Sequence, residues 1–545
     1  MYLPATFIYK DLKQCQFQEQ ILKKYRPTPD FQQAFLHKPS GNYVMKYSSG
    51  QALVFSPAFA IAHVWAKNDS RYPADGFSHP YQFCISMWTL FIATIGLLIL
   101  WTILRTYFSD KVSLLGILAI ILGSNYLNYS AIDGAMTHNT LFTIYTILIY
   151  LTIQFYNRPR LRTGIGIGIC VGLAALIRPT EIISCIIPIL WGLDSVKWDA
   201  IIARLQLFQR HWGKLVIAVL LVMLIGSIQL LYWKYATGEF IVYSYEDQGF
   251  DWLSPHILDG LLSYKSGWLI YSPIMIFALL GFIPLLFDNR SLFFATAAFT
   301  GLFIYIAFAW SIWWYGGSLG QRTMVQVYPI LAFPLCAFIQ RLLSTHLIWK
   351  IIVGGFSILF IYANIWFTHQ AHLGGLLPVG RVTKPYFWEI LFKYERDKQD
   401  LKLLDGVDHI YKGNPPNLLE VMRDTSSATL AGDTKFTPKV TAAANLLPSS
   451  YDWIRVEADV QYDHKEWNIW QMAQLIVEVK NGEKTIGRHS IRVHNQVEPN
   501  QETNLFLDLK KPKQPFDRLE TYFWNSNGTK RVNIKNTRVS TFDDK

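Results

Sequence analysis

Four polar clusters interrupt an otherwise apolar chain, and each holds residue types that can meet an anion or move a proton. The first is Arg178-Pro179-Thr180-Glu181, set between the apolar runs 163–177 and 182–193. A guanidinium where two membrane helices meet is costly unless an anion or a wet surface faces it. Glu181 is one such anion, so a pair that merely caps the bend is one reading, and a site for an external anion is the other. The second cluster, Ser130 to Asn139, sets Asp133 and His138 in one short connection. Loops carried on a scaffold favour active sites, although a solvated loop would use the same residues. The third runs from Trp310 through Trp313, Trp314, Tyr315, Gly316, Gly317 and Ser318 to Arg322. Its aromatics suit an interfacial belt, while exposed backbone amides and a cation suit an anionic head group. The fourth, Lys46-Tyr47-Ser48-Ser49-Gly50, offers a further cation just before an apolar helix.

A longer connection, 234–267, holds Glu246, Asp247, Asp251, His256, Asp259 and Lys265. It reads as a solvated acidic loop. No cofactor is indicated with certainty; a divalent ion on these carboxylates is possible chemistry, but their spacing matches no recognised ligand set.

The elements that must position these clusters are membrane helices. The 545 residues are 51% hydrophobic and only 16% charged, and the apolar residues are gathered in runs. Runs occur near 83–104, 112–129, 140–156, 163–177, 182–193, 214–233, 268–287, 291–310, 325–340 and 347–367. A span takes about 20 apolar residues, which predicts about ten spans, with the pair flanking Arg178 short enough to be one broken helix. Residues 1–82 are mixed; 52–65 with its internal Pro57 suits a juxtamembrane helix. The start of the chain carries neither a basic n-region nor an apolar h-region.

Charge bias orients the set. With residues 1–82 outside, the inner connections hold twelve Lys/Arg against four Asp/Glu, and the outer ones four against seven. All four clusters then share the outer face. The bias also accounts for part of the net charge of +11 without any nucleic acid. Cys15, Cys84, Cys170, Cys185 and Cys336 show no paired spacing, and all but Cys15 lie in apolar runs, so packing is their expected role.

Beyond residue 367 the composition becomes soluble. Residues 368–440 read as a linker with a short helix near Tyr386–Tyr394. From 441 to 545 the pattern alternates over Trp453–Tyr462, Gln474–Lys480, Gly487–His494, Asn504–Lys510, Arg518–Asn525 and Arg531–Ser540. Asn481-Gly482 and Asn527-Gly528 are turn signals. The expectation is a β-sandwich-like domain on the outer surface.

Taken together, Lys46-Tyr47-Ser48-Ser49-Gly50 before a helix containing Pro57, Asp133 with Met136-Thr137-His138, Arg178-Pro179-Thr180 and Gly316-Gly317-Ser318-Leu319-Gly320-Gln321-Arg322 resemble the GT-C class of membrane glycosyltransferases. Within that class the likeness is to the bacterial branch similar to protein mannosyltransferases and the aminoarabinose transferase. It covers about residues 1–370 and leaves the β-rich tail aside. The resemblance implies a polytopic α-helical protein of the bacterial inner membrane. It also implies transfer of a sugar from a polyprenyl-phosphate donor to an envelope acceptor on the outer face. By the same resemblance Lys46, Arg178 and Arg322 would contact the donor phosphate, and Asp133 would be the base. His138 would orient that base or touch the donor, and Trp314 and Tyr315 would lie against sugar or isoprenoid. Tyr2-Leu3-Pro4-Ala5 resembles the stretch that follows the usual catalytic Asp of this class. This implies a further span and acid upstream of Met1, or else Asp11 or Asp133 as base. Two other readings fit the same features: a transporter or flippase of lipid-linked saccharide, and a non-catalytic glycan-binding envelope protein.

Overall fold

The computed structural model describes every residue except 28–32, 246–247, 396, 398–399, 405–410, 412, 433, 464–471, 526–530 and 545. The chain forms two compact units, Met1–Gly380 and Arg381–Lys545.

The first unit is helical. Among the described residues, five helices are long and apolar enough to cross a membrane: His79–Leu104, Trp212–Thr237, Arg290–Ala309, Arg322–Leu343 and Leu347–Ala371. The expectation of about ten spans is therefore not met by length and composition. Thr137–Asn157 is long but more polar, and Leu161–Ile177 has 17 residues. The run 182–193 begins in a 3-10 stretch, Pro179–Cys185, and continues only as Ile186–Leu190. The run 268–287 is cut into Trp268–Tyr271, Met275–Leu280 and Phe282–Asp288. Pro273 removes a donor at the first break.

Backbone contact locks the helix that ends at Arg178. Gly168 faces Trp212–Thr237 so closely that a Cβ there would lie 2.6 Å from the Ala218 carbonyl oxygen. Small residues that admit such approach are the usual contact between membrane helices. Gly50 opens the helix Gly50–Asn68, and a Cβ on it would stand 2.5 Å from the Ile177 nitrogen. The start of this helix thus abuts the residue preceding Arg178. Gln51 Nε2 also donates to Thr140 Oγ1 at 3.0 Å, tying in the first turn of Thr137–Asn157. Ahead of it, the hairpin β1 (Ala34–His37) and β2 (Asn42–Met45) docks on Trp212–Thr237, where the Met45 N–H donates to the Tyr232 hydroxyl at 3.0 Å.

The second unit holds two four-stranded antiparallel sheets. Strands β3 (Leu419–Leu430), β10 (Val532–Phe542), β5 (Trp453–Tyr462) and β8 (Thr503–Lys510) form one, in that spatial order. Strands β4 (Val440–Ala443), β9 (Arg518–Trp524), β6 (Gln474–Asn481) and β7 (Lys484–Arg492) form the other. Alternation drives the packing: Ile454, Val456, Ala458 and Val460 of β5 share a core with Leu475, Val477 and Val479 of β6. The inward parity of β10 changes from Val532 and Ile534 to Val539 across a bulge at Asn536, whose φ is +54°. Gly482, at φ +57°, turns the β6–β7 hairpin as its Asn-Gly signal requires. Asn527-Gly528 lies outside the described residues. The expected linker is structured in part: it carries β3 and a helix, Lys384–Ile390.

Candidate active site

Arg178 caps the locked helix Leu161–Ile177, its N–H donating to the Ala174 carbonyl at 3.0 Å. Its guanidinium lies over the Tyr315 ring, 5.8 Å from the centroid. Glu181 does not pair with it: the two are not within 4 Å. The Glu181 carboxylate is buried and accepts instead from the Tyr145 hydroxyl and from Thr180 Oγ1, the latter at 3.3 Å. Glu181 is nevertheless the anion that acts most strongly on Arg178, and its N–H donates to the Arg178 carbonyl at 2.9 Å, so the pair survives as an attraction across the bend and not as a direct ion pair.

Arg322 opens the turn that leads into Tyr328–Leu343. Its Nη1 is 3.7 Å from Met136 Sδ, and no carboxylate among the described residues lies within ion-pair distance. Arg178 and Arg322 both act electrostatically on the same three side chains, His138, Tyr245 and Tyr315. Burial pushes the Tyr315 phenol above its ordinary value despite Arg178, which keeps it a neutral hydroxyl; it donates to the Ala307 carbonyl at 2.7 Å. Tyr315 holds φ at +53°, a left-handed conformation uncommon for an aromatic residue and frequent at functional sites.

His138 is buried, with Nδ1 2.9 Å from Gln326 Oε1. With the Gln326 amide in this orientation, Oε1 only accepts, so Nδ1 carries the hydrogen and Nε2 keeps its lone pair. His138 thus belongs with the arginines and makes no hydrogen bond to Asp133. Asp133 and Arg322 both act on the Tyr129 phenol, which stands near each. Met136 links the same two residues: its N–H donates to the Asp133 carbonyl at 3.1 Å while its sulfur meets Arg322.

The Gly-Gly-Ser turn is less open than its sequence suggests. The Ser318 N–H donates to the Gly316 carbonyl at 2.8 Å, and the Leu319 N–H to the Tyr129 hydroxyl at 2.9 Å. Asn125 Nδ2 holds the Leu319 and Gln321 carbonyls from below. One face of Trp314 is covered by Lys265 Nζ, 3.3 Å from the ring centroid. Lys46 is tied in only through its backbone and its neighbour: Ser244 Oγ donates to its carbonyl at 2.8 Å, and Tyr47 packs edge-on against Tyr245 at 6.3 Å. Asp11 is turned to a local role, accepting the N–H groups of Gln14 and Gln16.

In the connection 234–267, Asp251 and His256 pair at 3.3 Å, and their N–H groups bind the Ala309 and Phe308 carbonyls. This part is docked on the scaffold; Glu246 and Asp247 lie outside the described residues. No group of three or more His, Cys, Asp or Glu among the described residues is arranged to hold a metal ion. Sequence reasoning missed Asn128, Tyr129, Tyr245, Gln326 and His372, all of them single polar or aromatic residues without a motif around them.

With this geometry in place, the comparison with known families is informative. The pattern of the dolichyl-phosphate-mannose-protein mannosyltransferase family matches residues 79–233, a stretch that contains Asp133, His138 and Arg178. The chain is similar to that family over those residues. A solved structure, the arabinosyltransferase EmbB from Mycobacterium smegmatis, aligns with 83% of this chain at 9% identity and a TM-score of 0.31. Likeness at that level carries no argument, and the chain spans 57% of that enzyme's length. No curated protein matches the chain.

Proposed function

We propose that the chain is a multi-pass membrane glycosyltransferase that moves a sugar from a polyprenyl-phosphate donor to an envelope acceptor on the outer face of the bacterial inner membrane. One observation carries the reading: Arg178 and Arg322 both act on His138, Tyr245 and Tyr315, and among the described residues neither has a carboxylate within ion-pair distance. Two cations acting on the same neighbours repel, and a lipid phosphate is the ligand that would relieve them. The family similarity over 79–233 supports the same donor chemistry.

On this reading Arg178 and Arg322 hold the phosphate and meet the charge that grows on it as the sugar leaves, while Lys46 attends the edge. Asp133 is the general base for the acceptor hydroxyl. His138 Nε2 accepts from a sugar hydroxyl, and Tyr315 lines the donor. Charge bias of the connections supports the outer placement, and Asp110–Gly123, Thr137–Asn157, Leu161–Ile177, Pro179–Leu190 and Met275–Asp288 would bring the five long helices to about ten crossings.

The test is Arg178→Ala in purified protein given radiolabelled polyprenyl-phosphate hexoses and pentoses with a crude envelope fraction. Loss of a preorganised charged contact should cut donor use on the order of 10²–10³-fold with little change in thermal unfolding. Transfer at the parent rate would return Arg178 to a structural role.

A further inference from the structure

The acid Asp133 has a support that its own motif does not contain. Asn128–Ile132 forms one wide π turn, closed by the Asp133 N–H donating to the Asn128 carbonyl at 2.8 Å. Wide turns of this kind recur at functional sites because they re-aim a side chain. Here the Asn128 side chain folds back along its own turn, and Nδ2 donates to Asp133 Oδ2 at 3.0 Å. His372, just past Leu347–Ala371, reaches the other end of the same amide, with Nε2 2.6 Å from Asn128 Oδ1. It stands 3.9 Å from Asp133 Oδ2.

The chemistry fixes every direction in this chain. A carboxylate oxygen only accepts, so the amide group facing it must be the NH2, and Oδ1 must face His372. Oδ1 only accepts as well, so His372 Nε2 carries the hydrogen. Asn128 is fully buried, whereas the side chains of Asp133 and His372 keep 38% and 31% of their exposure. The bridge is closed and its two ends are open. Asp133 Oδ1 has no hydrogen-bond partner among the described residues.

We propose that His372 and Asn128 are positioning residues that aim Asp133 Oδ1 at the acceptor hydroxyl, an inference that rests on the transferase reading. His372 prevents rotation of the Asn128 amide, and the amide holds Oδ2, which leaves Oδ1 to take the proton. As the acceptor oxygen bonds to the anomeric carbon, the bond from that carbon to the phosphate oxygen breaks. Its electron pair stays on the lipid phosphate beside Arg178 and Arg322, and the proton passes from Asp133 to solvent. Contact of Met136 with both Arg322 and the Asp133 backbone keeps base and leaving-group site in one assembly.

Three variants of the full chain, His372→Ala, His372→Gln and Asn128→Ala, are compared for transfer from radiolabelled polyprenyl-phosphate hexose and pentose to the envelope fraction. Retention of radiolabelled polyprenyl phosphate is measured separately. His372→Ala and Asn128→Ala should lower turnover by about 10- to 100-fold, part of what a general base supplies, while retaining the lipid phosphate. His372→Gln keeps an N–H for Asn128 Oδ1 and should recover turnover to within about threefold of the parent, since the hydrogen bond rather than the charge is required. Adding His372→Ala to Asp133→Asn should cost nothing more. Parent-like turnover by His372→Ala, or equal loss of lipid retention and turnover in both His372 variants, overturns the positioning role. A parent chain that neither retains polyprenyl phosphate nor transfers sugar overturns the transferase reading itself. A parent that transfers while Asp133→Asn is unimpaired overturns only the role of this cluster.

Discussion

Two half-buried arginines in each unit of this protein live under opposite rules, unlike the exposed Arg71 and Arg105 of the helical unit, which pair with Asp69 and Asp110. In the β unit, Arg455 forks onto Asp508 through Nε at 2.8 Å and Nη2 at 3.0 Å, and the fully buried Asp508 also accepts the Tyr411 N–H. Arg538 meets Glu457 at 2.7 Å and Asp459 at 3.3 Å. In the helical unit Arg178 and Arg322 have no carboxylate within ion-pair distance among the described residues; Glu181 attracts Arg178 from farther off while its carboxylate is hydrogen-bonded elsewhere. A charge that the fold completes serves the fold. A charge that the fold holds and leaves incomplete is kept for something that arrives.

The contrast can be broken at its strongest point first. Asp508→Ala leaves the Arg455 guanidinium buried without its partner and should destabilise the β unit by about 3–5 kcal/mol. Hydrogen exchange of β5 and β8 in the full chain measures it, and unchanged protection would mean that the pair is not structural. Arg322→Ala should act in the opposite sense, lowering donor use on the order of 10²-fold or more while leaving exchange in its helix as it was. Arg322→Lys should fall between, because lysine supplies the charge without the fork. The smallest effect is at Glu520, whose carboxyl is held below its ordinary value by hydrogen bonds from Lys439 and then Arg518. A depressed acid stabilises the fold above the unfolded-state pKa of about 4.3 and loses that contribution as the pH falls through the folded value. The urea midpoint of the β unit should therefore decline on the acid side, and Glu520→Gln should flatten the decline.

How much of this was visible in the sequence depended on whether a pattern repeats. The alternation of β5, β6 and β8 and the long apolar helices repeat, so their positions were readable to within a few residues. Strand β3 was not: as an edge strand with most side chains exposed, its Glu-Val-Met-Arg-Asp-Thr-Ser-Ser stretch lacks a buried face to impose period two. The run 268–287 promised one helix, but Pro273 and the bend at Gly281 divide it. At the site, Arg178 and Arg322 were legible because guanidiniums are rare beside apolar runs. Whether Arg178 paired with Glu181 was not, since that depended on Tyr145, 36 residues away, reaching the carboxylate first. Asn128 and His372, separated by 244 residues, meet only through the fold.

The seam at Gly168 has a consequence for how this chain can drift. Because the helix bearing Arg178 is seated backbone against backbone, the depth of that cation is set by main-chain atoms and not by the size of neighbouring side chains. Residues on the outward side of the same helix, such as the 43%-exposed Ile169, are free to vary with the lipid around them. A single methyl group at Gly168 would push the whole helix away and carry Arg178 with it. Divergence among descendants of this chain would therefore be broad on one side of the helix and almost nil on the other, with the guanidinium held in register throughout.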